Sequence, residues 1–584
     1  MESPVSVFTS ITDLPDEVIT LILVNNEPRD IVHFGATCKQ FLELISDNEF
    51  LWKKKFSKAV PNAVVKLVSE RKGGNWHKEV IHFYKLKQTV CMELLSMPPV
   101  YNWRTKDVSL TDVGAFFMIA TENNLNYYYT IYILQNIVNK GYEIIDNNQC
   151  MKPLYTLTTM YYAKIVLRYL FHTYLAMKWL QKHIRIELTP VFVTTFFLQW
   201  VDVTRMYSDE EVEQRIQLLI TKVEKYLEEN NPKTKQPPLT ERKKYSERQL
   251  LQAISKVIYN ENSKVSTAPS SKTLDIVKVI DNNEGDFISY GAIYQAVAKR
   301  FGLQCELIAF PNHLFLKWQS VDEANASYTI DLFNGEIKIK RSCPFSQGQM
   351  NYEYYPDSLL QFIYSSYMKA KGPIKTCKTQ NAVHLWDFFG TNHNINSAYK
   401  NFFQHLVKYA QSPAIETTLN MKYLEDVHLE MILVLSRLNE SSTEDVNRPI
   451  VVKRHHKDIK YAVGMICFHK LYNYTCIIRG WEVNGHNLLL QGVDSSRNLQ
   501  QPFYCVLAGD QSERYVAQEN LQKLLVPYRI KNLEDTLAKE FTHFDGFAYL
   551  PNEQKLLEYP DEERYVEAFR QTSPKDILHL ITPY

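Results

Sequence analysis

The sequence contains no Cys-x-x-Cys pair, although it has nine cysteines in 584 residues. The cysteines are scattered and their number is odd, which argues against both a disulfide framework and a zinc ribbon. Isolated cysteines are typical of proteins in a reducing compartment. The histidines of the C-terminal third are not at metal-ligand spacing either, namely His455, His456, His469 and His486. No metal and no cofactor are therefore expected.

A long apolar run is also missing from the sequence. The most apolar segment is VFVTTFFLQWV at 191–201, and it is much shorter than the ~20 residues that span a bilayer. The N-terminal stretch MESPVSVFTSITDLPDE lacks the basic start and apolar centre of a signal peptide. These features predict a protein without a membrane partner, located in the cytoplasm, the nucleus or both.

An excess of charge of one sign is lacking too, because the formal net charge is only +1. No global field therefore points to nucleic acid or to an anionic membrane. The composition, with 45% apolar and 22% charged residues, is that of ordinary globular proteins. At about 100–200 residues per domain, a chain of this length predicts three or four domains.

The periodicity of apolar residues changes along the chain and predicts a multidomain α+β protein. Up to about residue 185, apolar residues recur at helical spacing. From 288 a helix is followed by strand-like segments, and from about 459 the chain is mostly strand-like with Gly turns. The latter pattern predicts a small β-barrel or sandwich.

The run LPDEVITLILVNNEPRDIVHFGATCKQFLELISDNEFLWKKKF, residues 14–56, closely resembles an F-box. Its landmarks are Leu14-Pro15 at a helix start, the PRDI segment at 28–31 and the pair Leu51-Trp52. Some 45 residues cannot bury much core alone, so part of the apolar face is expected to be free for a partner. The stretch NNE at 25–27 departs from the leucine that closes the first helix in many F-boxes.

The F-box resemblance implies binding to the Skp1 adaptor of a cullin-RING ubiquitin ligase. Through Skp1 it also implies association with cullin-1 and a RING subunit. The residues expected to contact Skp1 are the landmarks of the motif: Leu14, Pro15, Val18, Ile19, Leu21, Leu23, Ile31, Cys38, Phe41, Leu51 and Trp52.

The span from GDFISYGAIYQAVAKRFG to YTIDLFNGE, residues 285–336, resembles the transglutaminase-like SirB1 family. That resemblance implies a papain-like transglutaminase fold, in which a helix carries a nucleophilic Cys and two strands carry His and Asp. His313 and Asp331 match the second and third positions, whereas the nucleophile position falls at or next to Ser289. Cys305 lies beyond the helix, at the start of a strand.

A serine at the nucleophile position changes the chemistry that this domain can perform. A hydroxyl needs full general-base help and an oxyanion hole, whereas a Cys–His pair can hold a preformed thiolate. We therefore interpret Ser289, His313 and Asp331 as a vestigial triad, with His313 and Asp331 as a hydrogen-bonded strut between strands. The chain is expected to be non-catalytic. A hydrolase or acyl-transfer enzyme that uses these three residues remains the alternative.

The segments KYAVGMICFHKLYNYTCIIRGWEVN and QPFYCVLAGDQSERYVAQENLQ resemble the YccV/HspQ-like domain, which is also called hemimethylated-DNA-binding. The matching residues include Gly464, Gly480-Trp481 and the QPFY segment at 501–504. Trp481, Phe503 and Tyr504 are possible anchors for a substrate, although aromatic residues in a small barrel are more often core. The basic residues concentrate at KRHHKDIK, 453–460.

A domain that neutralises many phosphates normally has a larger continuous basic patch than this one. DNA is therefore not the expected partner, and a protein-binding surface is preferred. DNA or chromatin binding stays open as an alternative function.

Together the motifs predict the substrate-recognition subunit of a Skp1–cullin–F-box ubiquitin ligase, which recruits a protein substrate. The expected segments are an F-box at 8–58, a helical linker at 59–184, a SirB1/transglutaminase-like domain at 185–372, a helical connector at 373–450 and a YccV/HspQ-like β domain at 455–560 with an extension to 584.

Overall fold

The structure is a computed structural model, and it describes most but not all of the chain. The described residues are 10–72, 75–103, 108, 111–123, 125–147, 149, 152–205, 209–230, 245–310, 313–321, 327–339, 354–372, 378–379, 381–382, 385, 450–483 and 501–571. They fall into two compact units. The first comprises 1–96 and 112–136, and the second comprises 97–111 and 137–584.

The first unit is helical, as the periodicity predicts. Its helices, two of which continue past the unit, are α1 (Asp16–Leu23), α2 (Pro28–Gly35), α3 (Lys39–Ser46), α4 (Glu49–Ala59), α5 (Asn62–Lys72), α6 (Trp76–Tyr101), α7 (Gly114–Thr121) and α8 (Asn126–Asp146).

An aromatic cluster fastens the F-box helices to α6 and α8. Phe56 of α4 is fully buried and lies 5.5 Å from Trp76, 6.1 Å from Phe83 and 6.0 Å from Tyr129, measured between ring centroids. Tyr129 donates to the buried Glu79 carboxylate at 2.5 Å. Such aromatic pairs stabilise beyond the area they bury, so the F-box segment shares its core with the helices that follow it.

In the second unit, the helices α9 (Leu157–Ile184) and α10 (Pro190–Val201) precede the α+β region. They are held together by His172, whose ring stacks on Trp200 at 4.1 Å and whose Nε2 donates to the Trp200 carbonyl at 2.8 Å. Ten of the twelve residues of α10 are buried, which explains its apolar sequence. Among the residues that the structure describes, no helix is long and apolar enough to cross a membrane.

The central region combines helices with a four-stranded antiparallel sheet, as the sequence predicts. The helices are α11 (Asp209–Asn230), α12 (Glu247–Ile258), α13 (Ile276–Asn282), α14 (Phe287–Arg300) and α15 (Pro356–Lys371). The sheet has the order β3 (Cys305–Phe310), β4 (His313–Gln319), β5 (Ser327–Ile330), β6 (Ile337–Ile339). The short strands β1 (Lys264–Ser266) and β2 (Glu284–Asp286) pair in parallel beside the start of α14.

The C-terminal region contains a five-stranded antiparallel sheet and a separate hairpin. The sheet consists of β7 (Ile466–His469), β8 (Tyr474–Glu482), β9 (Phe503–Ala508), β10 (Glu513–Ala517) and β11 (Leu521–Lys523), in the order β10-β9-β8-β7-β11. The remaining elements are α16 (Glu534–Leu537), β12 (Phe541–Phe544), β13 (Tyr549–Pro551), α17 (Glu553–Glu558) and α18 (Glu562–Gln571).

Gly464 is the point where the β12–β13 hairpin meets the five-stranded sheet. Its N–H donates to the Ile478 carbonyl at 2.8 Å, and its own carbonyl accepts from the Tyr549 N–H at 2.9 Å. The backbone has φ +88°, and a Cβ would lie 1.9 Å from the Tyr549 oxygen. Only glycine fits such a left-handed, close approach of two chains.

Helix α9 packs against the C-terminal region and is hydrogen-bonded to it. The buried Thr158 hydroxyl donates to the Phe541 carbonyl at 3.1 Å and accepts from Asn552 Nδ2 at 3.1 Å. Lys164 forms an ion pair of 2.6 Å with Asp535. Buried hydrogen bonds of this kind fix the orientation of α9 relative to the C-terminal region, because an unpaired buried donor or acceptor costs desolvation free energy.

The multidomain α+β class is confirmed, with a helical N-terminal region, a central region of helices and a four-stranded sheet, and a C-terminal antiparallel sheet. In place of a small barrel, the structure has the five-stranded sheet with its hairpin. The predicted helical connector at 373–450 lies almost entirely outside the described residues.

Candidate functional site

The F-box landmarks divide into a buried set and an exposed set. The buried landmarks are Ile19, Leu23, Ile31, Phe41, Leu51 and Trp52. Trp52 also donates its indole N–H to the Ile45 carbonyl at 2.7 Å. These six residues form the core that the four helices share. They serve the fold of the segment, and the expected contact of the motif with an adaptor stays a prediction.

The exposed landmarks are Pro15, Val18, Leu21 and Cys38, while Leu14 is half-buried. Val18 and Leu21 lie on one side of α1 together with Ile22, a residue that the motif comparison did not single out. Residues at i, i+3 and i+4 share one helix face. Leu21 is 62% exposed, which is unusual for a leucine in the middle of a helix. We refer to Val18, Leu21 and Ile22 as the α1 stripe.

Three more exposed apolar residues lie on the next three helices: Val32, Leu42 and Phe50. Helical periodicity could have identified them, since Val32 directly follows the buried Ile31 and Phe50 directly precedes the buried Leu51. The motif comparison missed them because it marks which residues match, and not which face they lie on.

Lysines 55 and 58 close the first helix at the NNE segment. Lys55 Nζ donates to the Val24 carbonyl at 2.7 Å and also to the Asn26 carbonyl, and Lys58 donates to Val24 at 3.2 Å. Burial lowers the pKa of the Lys55 ammonium. Cations at a helix C-terminus satisfy its free carbonyls and its dipole, so the NNE departure is compensated from α4.

The three residues of the vestigial triad are not brought together. Ser289 is fully buried in the first turn of α14, and its Oγ donates to the Thr273 carbonyl at 2.9 Å. Its N–H donates to Oδ1 of Asp286, the N-cap residue, at 2.8 Å. Neither His313 nor Asp331 is among the described hydrogen-bond partners of Ser289. The side chain next to its hydroxyl is the Asp286 carboxylate.

The expected strut between His313 and Asp331 is also not formed. His313 is exposed at the first residue of β4 and is paired in register with Phe310. Asp331 follows β5, accepts from the Phe333 N–H at 2.8 Å and is paired with Lys338 of β6. Desolvation by burial is the largest single influence on the Asp331 carboxyl and raises its pKa. The hydrogen bonds from Lys338 and the Phe333 N–H together outweigh it, so the pKa of Asp331 is lowered.

Cys305 does not replace the missing nucleophile. It is buried at the start of β3, and burial raises the pKa of its thiol far above the ordinary value. A thiol that stays protonated in apolar surroundings is unreactive. Among the described residues, no group of His, Cys, Asp and Glu is arranged to hold a metal ion.

The three candidate substrate anchors of the C-terminal region are core residues, which is the more common role of aromatic residues in a small β domain. Trp481, Phe503 and Tyr504 are each at most 5% exposed. Trp481 Nε1 donates to Glu562 of α18 at 2.9 Å, and the Tyr504 hydroxyl donates to Gln518 at 2.6 Å. Several exposed apolar residues of this region lie in turns and loops instead: Leu471, Tyr472, Leu525, Val526 and Tyr528.

Three residues of the basic segment 453–460 are engaged by acidic residues of the stretch 558–562. Arg454 is 3.0 Å from Asp561, and His455 Nδ1 is 3.0 Å from the Glu562 carboxylate. Lys453 lies 4.0 Å from Glu558. Lys453 and Arg454 are therefore engaged within the chain and poorly placed for phosphates, whereas Lys457 and Lys460 are exposed.

Comparison with protein families identifies three domains in this order along the chain. Residues 11–58 match the F-box-like family, residues 210–351 match the transglutaminase-like superfamily and residues 459–547 match the family of hemimethylated DNA-binding protein YccV like. The three resemblances drawn from the residues are thereby confirmed. The YccV-like match ends before Glu562, which supplies the buried carboxylate of that region.

The chain is similar to curated proteins over nearly its whole length. F-box only protein 21 of Mus musculus is 23% identical, with 95% of this chain and 93% of that protein covered. The proteins of the same name from Pongo abelii and Homo sapiens are 24% and 23% identical over the same shares. No solved structure matches the chain.

Proposed function

We propose that this chain is the substrate-recognition subunit of a Skp1–cullin–F-box ubiquitin ligase. The F-box helices bind Skp1, and cullin-1 and the RING subunit join through Skp1. The remaining domains hold a protein substrate. The chain then supplies proximity, which converts a bimolecular transfer into a nearly intramolecular one. Its location is the cytoplasm, the nucleus or both.

The observation that carries this proposal is the α1 stripe, which lies within the residues that match the F-box-like family. Val18, Leu21 and Ile22 are between 39% and 62% exposed, although the same helices bury a complete core of their own. Exposed contiguous apolar residues of this kind mark interaction sites. The stripe therefore supports an adaptor contact that does not require the F-box helices to unfold.

A non-catalytic role is part of the proposal. The buried Ser289 hydroxyl donates to a backbone carbonyl, and Asp331 is paired with Lys338. An acyl-transfer mechanism would need the hydroxyl, imidazole and carboxylate in sequence. The described geometry gives no support to the alternative of an enzyme that uses Ser289, His313 and Asp331.

DNA binding through the YccV-like region has less support than protein binding. Arg454 and His455 are engaged by Asp561 and Glu562. Binding to duplex DNA depends on cations that are free to replace counterions. The same region exposes apolar residues such as Leu471 and Leu525 beside the exposed Lys457 and Lys460, and the apolar residues favour a protein partner.

The test is co-purification of Skp1 and cullin-1 with the full chain and with Leu21→Glu. Because Leu21 is largely exposed, the charge should leave the helices folded and disrupt the apolar contact, so Skp1 recovery should fall to near background. Leu95→Glu is the matched control, since Leu95 is 41% exposed on α6, outside the F-box. Failure of the wild-type chain to recover Skp1 would refute the proposal.

A further inference from the structure

A cleft of about 970 Å³ lies beside the C-terminal half of α14 in the central region. Its walls are α10, α11 and α14, together with the ends of α9 and α15. Ser289 is in the first turn of α14, whereas Lys299 in the cleft is ten residues further on, about 15 Å along the helix axis. The cleft is therefore separate from the vestigial triad.

The floor of the cleft is apolar. It includes Leu188, Phe192, Phe196 and Ile216, of which all but Phe192 are buried. Ile186 stands at the mouth, 94% exposed and with φ +56°. A β-branched residue rarely adopts this left-handed conformation, because its side chain crowds the backbone. The fold thus holds a large apolar side chain in solvent at the entrance of an apolar cleft.

Two hydroxyl groups on the cleft walls have no hydrogen-bond partner. Thr195 Oγ1 and Tyr354 Oη are buried atoms, and the structure provides neither with a donor or an acceptor. Buried polar groups are nearly always paired, since an unpaired one costs desolvation free energy. If its side chain rotates towards the cleft, each hydroxyl can pair with the backbone-like N–H or C=O group of a ligand.

Three of the four cationic side chains that line the cleft form ion pairs with described residues. Lys178 pairs with Asp209 at 2.6 Å, Lys182 with Glu187 at 3.1 Å, and Arg300 with Glu213. Lys299 is exposed and forms no ion pair with a described residue. It also borders a second cleft of about 560 Å³ that continues towards β3. Lys299 therefore borders both clefts, as does Gln295.

We propose that these two adjacent clefts bind an extended peptide segment of the substrate, with an apolar or aromatic side chain in the first cleft and a neighbouring carboxylate on Lys299. The inference rests on the proposed function, since it names the part of the chain that recognises the substrate. An apolar floor, two unpaired hydroxyls and a single free cation suit a peptide. A polyanion such as nucleic acid would need several free cations.

The probe is a phage-displayed library of random peptides, selected on the full chain. We expect enrichment of peptides in which an aromatic or aliphatic residue lies next to Asp or Glu. A synthetic peptide of the enriched sequence is then titrated against the wild-type chain and its variants by fluorescence polarisation.

Two variants separate binding from folding. Lys299→Glu should weaken peptide binding by about tenfold, because a charge-assisted contact becomes repulsive. Thr195→Val should weaken it by about fivefold through the lost hydroxyl, while it raises the melting temperature of the free chain by removing an unpaired buried group. Lys222→Glu is the control: Lys222 is exposed on α11, outside the cleft, and its substitution should leave binding unchanged.

The proposal is overturned if the library yields no enriched sequence, or if the enriched peptides lack an acidic residue. It is equally overturned if Lys299→Glu and Lys222→Glu bind the peptide as the wild type does. Skp1 recovery is measured on the same preparations. Normal Skp1 recovery with no peptide selected would reject this inference alone, whereas selected peptides without Skp1 recovery would reject the ligase proposal alone.

Discussion

The indole N–H of Trp481, on strand β8, donates to the carboxylate of Glu562, on the last described helix, at 2.9 Å. The same carboxylate accepts from the Val463 N–H at 2.5 Å and lies 3.0 Å from His455 Nδ1. Glu562 is fully buried. One acidic residue thus satisfies three buried groups of the C-terminal region and fixes α18 against the sheet.

Glu562→Ala is expected to destabilise the C-terminal region by about 3 kcal/mol, since it leaves buried donors unpaired. Urea unfolding followed by tryptophan fluorescence measures the change. Glu563→Ala is the matched control, because Glu563 is exposed on the same helix and should have an effect near zero. Equal stabilities of the two variants would contradict the role of Glu562.

Strand β8 contains a glycine, Gly480, at the point where the Tyr559 side chain packs against it. A Cβ at Gly480 would lie 2.5 Å from the Tyr559 hydroxyl, which packs over the strand. Gly480→Ala should therefore displace Tyr559 and lower stability by about 1–3 kcal/mol, as overpacking does. The double variant Gly480→Ala/Tyr559→Phe checks the cause. It should recover part of the loss, and no recovery would place the clash elsewhere.

Ile31 and Val32 are adjacent on α2 but have opposite environments. Ile31 is fully buried and Val32 is 48% exposed. Ile31→Ala should lower the free energy of unfolding by about 2–5 kcal/mol, whereas Val32→Ala should change it by at most ~0.5 kcal/mol. Thermal unfolding monitored by circular dichroism distinguishes them. A large loss for Val32→Ala would show that the assignment of core and surface is reversed.

The helical F-box and its landmarks could be predicted from the sequence, but the function of each landmark could not. The order Leu14-Pro15, Ile31, Leu51-Trp52 identifies the motif. Six landmarks are nevertheless buried, because a short helical segment needs most of its apolar residues for its own core. Sequence similarity does not separate residues kept for folding from residues kept for a partner.

The environment of Trp481 could not be predicted, because its partner Glu562 is 81 residues away. The register of β4 and β5 could not be predicted from the sequence either. The two strands align Leu316 with Ile330, the last residue of β5, so Asp331 and His313 both lie beyond the paired residues. A triad inferred from linear order depends on such register, since a shift of one residue moves every side chain to the other face.

Restoring a cysteine at the nucleophile position should not restore reactivity. Position 289 is fully buried, and its side chain contacts the Thr273 carbonyl rather than an imidazole. The thiol introduced by Ser289→Cys should therefore resist alkylation in the native state. Cys38 is exposed and serves as the internal control. Mass spectrometry of iodoacetamide-treated protein measures both sites, and rapid labelling at position 289 would reveal an accessible catalytic position.

Asp286 makes the stability of the central region depend on pH. The residue is fully buried at the N-cap of α14, and its Oδ2 has no hydrogen-bond partner. Burial raises the pKa of its carboxyl to about 7. Between the ordinary value of 3.8 and this value, the folded state binds more protons than the unfolded state. The free energy of unfolding therefore falls as pH rises through this window.

Asp286→Asn removes the charge but keeps an oxygen for the Ser289 N–H, so it should relieve this penalty. The gain in melting temperature over the wild type should be small near about pH 5 and larger near about pH 8, with roughly 1.4 kcal/mol for each unit by which the pKa is displaced. Asp286→Ala is the control, since it also loses the cap and should cost about 1 kcal/mol relative to Asn at both pH values. A gain that stays constant or shrinks with rising pH would mean that the buried carboxyl is ionised without cost, and that the start of α14 is more polar than its described neighbours make it.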